Sequence, residues 1–179
     1  MVYLLLADGF EEIEALAPVD VLRRAGVEVK TVGITGKTVC GSHGITVEAD
    51  ILPAQASESM DMLILPGGMP GSDNLDASPD VSILLDRALS SGAYIAAICA
   101  APKILGQRGL LSGKRAVCYP GYEELLTGAE ICHDSVVTDG RFITARGAGV
   151  ALDFALELTS LLTSPEKAAS IRSAMIARA

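Results

Sequence analysis

Cys99 ends an apolar run of strand length, Tyr94-Ile95-Ala96-Ala97-Ile98, and small residues and Pro102 follow it at once. A cysteine at a strand-to-helix turn has the setting of a nucleophile elbow: its sulfur leaves the sheet beside free N–H groups at a helix start. Such donors favour a thiolate, the form in which cysteine attacks carbonyl carbon or is oxidised. The competing reading is a small core residue among Ala and Ile. Gly67-Gly68 closes a second apolar run. These are either turn glycines that supply positive φ, or bare backbone offering N–H donors to a developing oxyanion.

Glu11, Glu12 and Glu14 open a helix-like segment. Glu11 and Glu12 read as capping carboxylates on a solvated face, favoured there by the helix dipole. Glu14, next to Ile13, Ala15 and Leu16, is expected to point partly inward. A buried carboxyl near a thiol has a raised pKa and can pass it a proton. A surface glutamate is the plainer alternative.

The two histidines, His43 and His133, lie far from Cys99 in sequence, so any Cys–His dyad requires tertiary proximity. His43 sits among glycines and reads as a turn residue. His133 lies between Cys132 and Asp134, but neighbours on a strand face opposite ways, which argues against a metal cluster. Arg146, at a strand end before Gly147, is suited to binding an anion or to pairing with a carboxylate. Cys40, Cys118 and Cys132 lack the elbow context and read as inert thiols.

These groups need a frame. Val2–Ala7 is a continuous apolar run, the mark of a strand buried on both faces, and Val27–Val32, Met60–Leu65 and Tyr94–Ile98 are the strands expected after it. Between them, Glu11–Ala25 and Pro79–Ser91 carry helical patterns, the first closed by Gly26 and the second opened by Pro79 and Asp80. Residues 34–52 form a glycine-rich hairpin excursion. Shorter strands are expected at Lys114–Cys118, around Ile131, at Val136–Thr138 and at Phe142–Thr144. A long apolar helix follows at Gly149–Leu162, and a last helix runs over about 165–177 from the Ser164 cap. The order predicts one domain over 1–179: an α/β fold with a mostly parallel sheet and helices on both faces. Ligands bind such sheets outside the carboxyl ends of the strands. The loops Asp8–Glu14, Pro66–Pro70 and Cys99–Pro102 should therefore converge.

Composition narrows the partners. With 14 basic and 22 acidic residues, the 179-residue chain carries a formal charge of −8, and it has no Trp. That argues against nucleic acid, which calls for a basic stripe and stacking platforms. Met1 leads straight into an apolar run too short to span a bilayer, so no membrane association and a cytoplasmic location are expected. The 4 scattered cysteines form neither a disulfide framework nor a zinc site, so no metal is expected.

Taken together, Asp8-Gly9-Phe10-Glu11-Glu12-Ile13-Glu14, Pro18-Val19-Asp20, Leu22-Arg23-Arg24-Ala25-Gly26, Leu65-Pro66-Gly67-Gly68, Ala96-Ala97-Ile98-Cys99-Ala100-Ala101-Pro102 and Ala145-Arg146-Gly147-Ala148-Gly149 resemble the ThiJ/PfpI family, more narrowly its DJ-one branch. The resemblance implies a flavodoxin-like three-layer sandwich, similar to class I glutamine amidotransferases, and a homodimer. It implies that Cys99 is the reactive cysteine, that Glu14 hydrogen-bonds its sulfur, and that Gly67, Gly68 and Ala100 are backbone donors. The activities implied need no cofactor: conversion of methylglyoxal to lactate, and repair of early glycation adducts. A redox-sensing, stress-protective or chaperone-like role, with Cys99 oxidised to the sulfinic acid, is the implied alternative.

The chain departs from the family pattern at the pocket. Tyr119-Pro120 stands where animal members carry a histidine before proline, leaving Glu14 the acid–base work with Tyr119 as a possible neutral donor. A pocket-rim arginine of those members aligns with His43. Ala100 replaces the histidine that follows the cysteine in the peptidase-like branch, so peptidase activity is not expected.

Overall fold

The computed structural model describes residues 1–178. Strands at Val2–Leu6 (β1), Val29–Gly33 (β2), Met62–Leu65 (β5), Tyr94–Ile98 (β6) and Phe142–Ala145 (β10) become parallel neighbours, and Val136–Asp139 (β9) closes the sheet antiparallel to β10. The order across the sheet is β2-β1-β5-β6-β10-β9. The hairpin excursion is present as β3 (Thr38–Cys40) and β4 (Thr46–Glu48), paired antiparallel. A separate short pair, β7 (Arg115–Ala116) and β8 (Glu130–Ile131), is parallel.

Alternation along β1 assigns its residues to two layers, because successive strand side chains point to opposite faces. Tyr3, Leu5 and Ala7 pack with Leu75, Leu84 and Leu85, which come from α2 (Gly71–Ala77) and α3 (Pro79–Ser91). On that same side lie Ile104 and Leu105 of α4 (Pro102–Gln107). Val2, Leu4 and Leu6 pack against Ala15, Val19 and Leu22 of α1 (Glu12–Arg24) and Phe154 and Leu158 of α5 (Ala151–Leu162). The result is a flavodoxin-like α/β sandwich of three layers. α6 (Pro165–Ala174) docks on α5 and α1 through Ala168 and Ile171, and Ser164 caps it by accepting the Lys167 N–H at 3.2 Å. It stops short of the expected 177.

Two local features differ from the sequence reading. Residues 71–77 form a helix where none is expected; only Leu75 supplies a large buried side chain, so the segment has no apolar stripe to announce it. The apolar helix expected from Gly149 starts with a 3-10 turn at Ala148–Val150 before α5.

Candidate active site

The carboxyl ends of β1, β5 and β6 bring the three marked loops together. At the end of β6, Cys99 adopts φ 65°, a left-handed conformation that costs a non-glycine residue on the order of 1–2 kcal/mol. Its backbone is held at both ends: its N–H donates to the Ala145 carbonyl at 2.9 Å, and its carbonyl accepts the Tyr119 N–H at 2.8 Å. The strain turns the sulfur out of the sheet, half-buried, toward the loop after β5.

Glu14 reaches the same point from α1. The capping carboxylate is Glu11, whose Oε2 accepts the Glu14 N–H at 2.7 Å. One turn later Pro18 lacks the N–H that the Glu14 carbonyl would otherwise receive. The Glu14 side chain is fully buried, and its Oε2 accepts the Gly67 N–H at 2.9 Å. Gly67 is glycine because it lies between two reacting groups. A methyl there would stand 2.6 Å from Glu14 Oε2 and 2.7 Å from the Cys99 Cβ. The other oxygen, Oε1, is the one buried side-chain polar atom without a hydrogen-bond partner among the described residues.

Burial pushes the Glu14 carboxyl up to about 7; the charge of Glu11 adds to this, while the Cys99 thiol and the N–H groups of Gly67 and Ala148 oppose it. Burial likewise pushes the Cys99 thiol up to about 12, reinforced by the negative charge of Glu14 and opposed by the N–H groups of Ala100 and Gly68. The expectation of a standing low-pKa thiolate is therefore corrected. Desolvation and a carboxylate neighbour outweigh two backbone donors, and α4, six residues long, adds only a short dipole. The thiolate belongs to the state in which Glu14 holds the proton.

The other sequence candidates separate into those at this point and those elsewhere. Gly68 and Ala100 direct N–H groups at the sulfur, whereas the Gly67 N–H is occupied by Glu14 and is not free for an oxyanion. Tyr119 is at the site: a methyl on Gly147 would lie 3.4 Å from its Cδ2 and 3.8 Å from the Cys99 sulfur. Arg146 lines a neighbouring cleft, its guanidinium turned to the His133 carbonyl at 3.4 Å. The Ala148 N–H, unassigned by the sequence reading, favours the Glu14 carboxylate from the turn before α5 without forming a full hydrogen bond to it.

Glu12 is a correction, whereas His43 is the hairpin turn residue that the sequence suggests. Glu12 is not on a solvated face; its side chain is buried, and its oxygens accept the His43 N–H at 2.8 Å, the Ile45 N–H at 3.4 Å and the Ser42 hydroxyl at 3.3 Å. The His43 ring closes the clamp, Nδ1 lying 2.8 Å from Glu12 Oε2. Burial works against the charge, yet these donors hold the Glu12 carboxyl down to about 2, and the same contact raises the His43 pKa. His43 thus pins the β3–β4 hairpin to α1, its ring hydrogen-bonded to Glu12 and Ser42. Glu11, Glu12 and His43 are the one His/Cys/Asp/Glu group compact enough to hold a metal among the described residues, and Glu12 is already saturated by protein donors. Cys132-His133-Asp134 forms no such group; Arg115 reaches Cys132 and Asp134 instead. Cys118 is buried, which with the charge of Glu123 pushes its thiol up to about 11.

Known proteins match this architecture throughout. The model of the DJ-1/PfpI family matches residues 1–161. Protein dj-1beta of Drosophila melanogaster is 39% identical over 176 residues, covering 96% of this chain and 94% of its own. A glutathione-independent glyoxalase of Caenorhabditis elegans is 34% identical, covering 94% and 91%, and a deglycase of Pyrococcus abyssi is 30% identical, covering 90% and 98%. The solved structure of oxidized Toxoplasma gondii DJ-1 superposes with a TM-score of 0.94 at 34% identity, covering 99% of this chain and 98% of that one. None of the helices among the described residues is long and apolar enough to cross a membrane. With the elbow cysteine, the buried glutamate and the glycine turn on one fold, the chain belongs to the DJ-1/PfpI family.

Proposed function

We propose that the protein converts small 2-oxoaldehydes to 2-hydroxy acids without a cofactor, using Cys99 as nucleophile and Glu14 as proton carrier. The observation that carries this reading is the placement of the buried Glu14 carboxyl, poised near neutrality, against the strained elbow of Cys99. A proton carrier works best with a pKa near the operating pH. The glyoxalase and deglycase among the relatives support the substrate class.

The steps balance without an external oxidant. Glu14 carboxylate takes the thiol proton while the sulfur bonds to the aldehyde carbon of methylglyoxal, and the N–H groups of Gly68 and Ala100 receive the oxyanion. Glu14 returns that proton to the oxygen, giving a hemithioacetal. The carboxylate then takes the proton from the former aldehyde carbon, giving an enediolate, and returns it to the adjacent carbon, while the hydroxyl proton of the first carbon passes to the oxygen of the second. One carbon has been oxidised and its neighbour reduced. Water cleaves the resulting thioester, releasing lactate and the thiol. The test is lactate formation from methylglyoxal without glutathione. Activity in the parent that is absent from Cys99→Ala supports the reading, and an equally active Cys99→Ala overturns it.

A second reading has its own observation. Glu14 Oε1 is buried and unpartnered, so a protonated carboxyl can donate to an oxygen carried by the sulfur. Successive reaction with 2 equivalents of peroxide, each releasing water, would yield the sulfinic acid. Oxidation of the Toxoplasma relative supports this use of the site. The reading includes a homodimer, which the family resemblance supports, and exposed Ile13, Leu16 and Ile45 offer an apolar face for it. Light scattering on the eluting protein tests the mass.

A further inference from the structure

The proposed reaction uses neither the buried lysine of α4 nor the aromatic pair beside the elbow. Lys103 is almost wholly buried, ion-paired with Asp73 of α2, and its ammonium lies 5.5 Å from the centre of the Tyr122 ring. Tyr122 meets Tyr119 edge to face, with ring centres 6.5 Å apart and planes at 76°. The Tyr122 N–H donates to the Tyr119 carbonyl at 3.2 Å, and the Tyr119 N–H donates to the Cys99 carbonyl at 2.8 Å. A buried ammonium held by a carboxylate therefore sets one ring, that ring sets a second, and the second stands beside the nucleophile.

Tyr119 is 51% exposed, and it forms one wall of a cleft of about 440 Å³. Pro120, Ala148 and Val150 supply apolar lining, and Gly147 connects the cleft to the sulfur. Arg146 is the cation there, but its charge has an answer. The Glu123 carboxyl, held low first by its own N–H and that of Gly121, also feels His133 and Arg146. The cleft lining itself is largely apolar or uncharged apart from Arg146, whose guanidinium is turned to the His133 carbonyl. A flat uncharged group would meet the face of Tyr119.

Resting on the carbonyl reading above, we infer that this cleft is the subsite for the substituent of the 2-oxoaldehyde, and that it selects aryl or other flat apolar substituents over methyl. Tyr119 acts through its ring face, not its hydroxyl, and Lys103 is a positioning residue. Two measurements test this. The first is turnover: phenylglyoxal plus water gives mandelate, and methylglyoxal plus water gives lactate. The parent should favour phenylglyoxal in kcat/KM by about tenfold, the scale of one good aromatic contact. Tyr119→Phe should keep the ratio. Tyr119→Ala should lose it, and Lys103→Met should reduce it mainly through KM. A ratio near one in the parent, or an unchanged ratio in Tyr119→Ala, overturns the proposal.

The second measurement needs no turnover and so separates failure of the subsite from failure of the carbonyl reading. Cys99 is alkylated with N-phenyliodoacetamide and with iodoacetamide, and each rate is referred to that of a free thiol. The aryl reagent should saturate and gain about tenfold over the plain one, a gain retained in Tyr119→Phe and absent from Tyr119→Ala. Rates in the free-thiol ratio would overturn the subsite even if lactate is formed. A clear aryl preference with no turnover would uphold the subsite and overturn the reaction.

Discussion

Tyr119 donates its backbone N–H to the carbonyl of Cys99 across 2.8 Å, so the strained elbow and the loop after β7 are tied together. The tie explains how a non-glycine residue is kept at φ 65°. Neither end of the Cys99 peptide can relax without breaking a hydrogen bond to another segment, one to Ala145 and one to Tyr119.

Replacing Glu14 by Gln keeps the shape and removes the proton carrier. Lactate formation should fall by about a hundredfold or more, within the range that general acid–base groups contribute. Far-UV circular dichroism should match the parent, and an unimpaired variant would contradict the assigned role.

The pH profile follows from the same residue. Below about 7 both Glu14 and Cys99 hold protons, and no carboxylate is present to take the proton from the sulfur. Initial rates of lactate formation, and of Cys99 alkylation, should rise with pH through about 7. In Glu14→Gln that rise should be missing from the alkylation profile.

Stability should bend in opposite directions on account of Glu12 and Glu14. The folded pKa of Glu14 is raised from 4.5 to about 7, so the folded state holds a proton the unfolded chain releases. Stability therefore falls as pH rises from 4.5 to about 7, by about 3 kcal/mol at most. Glu12 is lowered from 4.5 to about 2, so its contribution is present above 4.5 and is lost as pH falls toward 2. Urea unfolding across this range should show Glu14→Gln flattening the neutral arm and Glu12→Gln flattening the acid arm.

Gly67→Ala should be the most damaging single methyl at the site. Its Cβ would press on Glu14 Oε2 and on Cys99 together, and neither is free to move. Overpacking of this kind costs about 1–3 kcal/mol. Denaturant midpoints should drop accordingly, and peroxide or methylglyoxal reactivity at Cys99 should drop with them.

At a pH above about 7, where the Glu14 carboxylate can take the thiol proton as the sulfur reacts, mild peroxide should add two oxygens to Cys99 before Cys40, Cys118 or Cys132 is modified, as read by peptide mass mapping. Burial keeps Cys118 protonated and closed to solvent. Equal reactivity of all the thiols would remove the case for a specialised sulfur.

Much of the frame was legible because fully buried parallel strands write themselves as unbroken apolar runs. Tyr94–Ile98 and Pro79–Ser91 match the structure residue for residue. The inward turn of Glu14 was readable from its apolar neighbours. Glu12 was not, since the donors that bury it come from Ser42, His43 and Ile45, about thirty residues away. The thiol was misjudged for a related reason. Helix-start donors are visible in a sequence, whereas the desolvation and the carboxylate that outweigh them exist only after folding.

The spread of these parts along the chain has a consequence for synthesis. Glu14, Gly67, Cys99 and Ala148 leave the ribosome in that order, and the last of them completes the surroundings of the glutamate. Until Ala145 has emerged to bind the Cys99 N–H, the elbow has at most its tie to Tyr119, and residue 99 stands in unfinished surroundings. The special chemistry of this cysteine therefore arrives only once the segments from Glu14 to Ala148 have all been made.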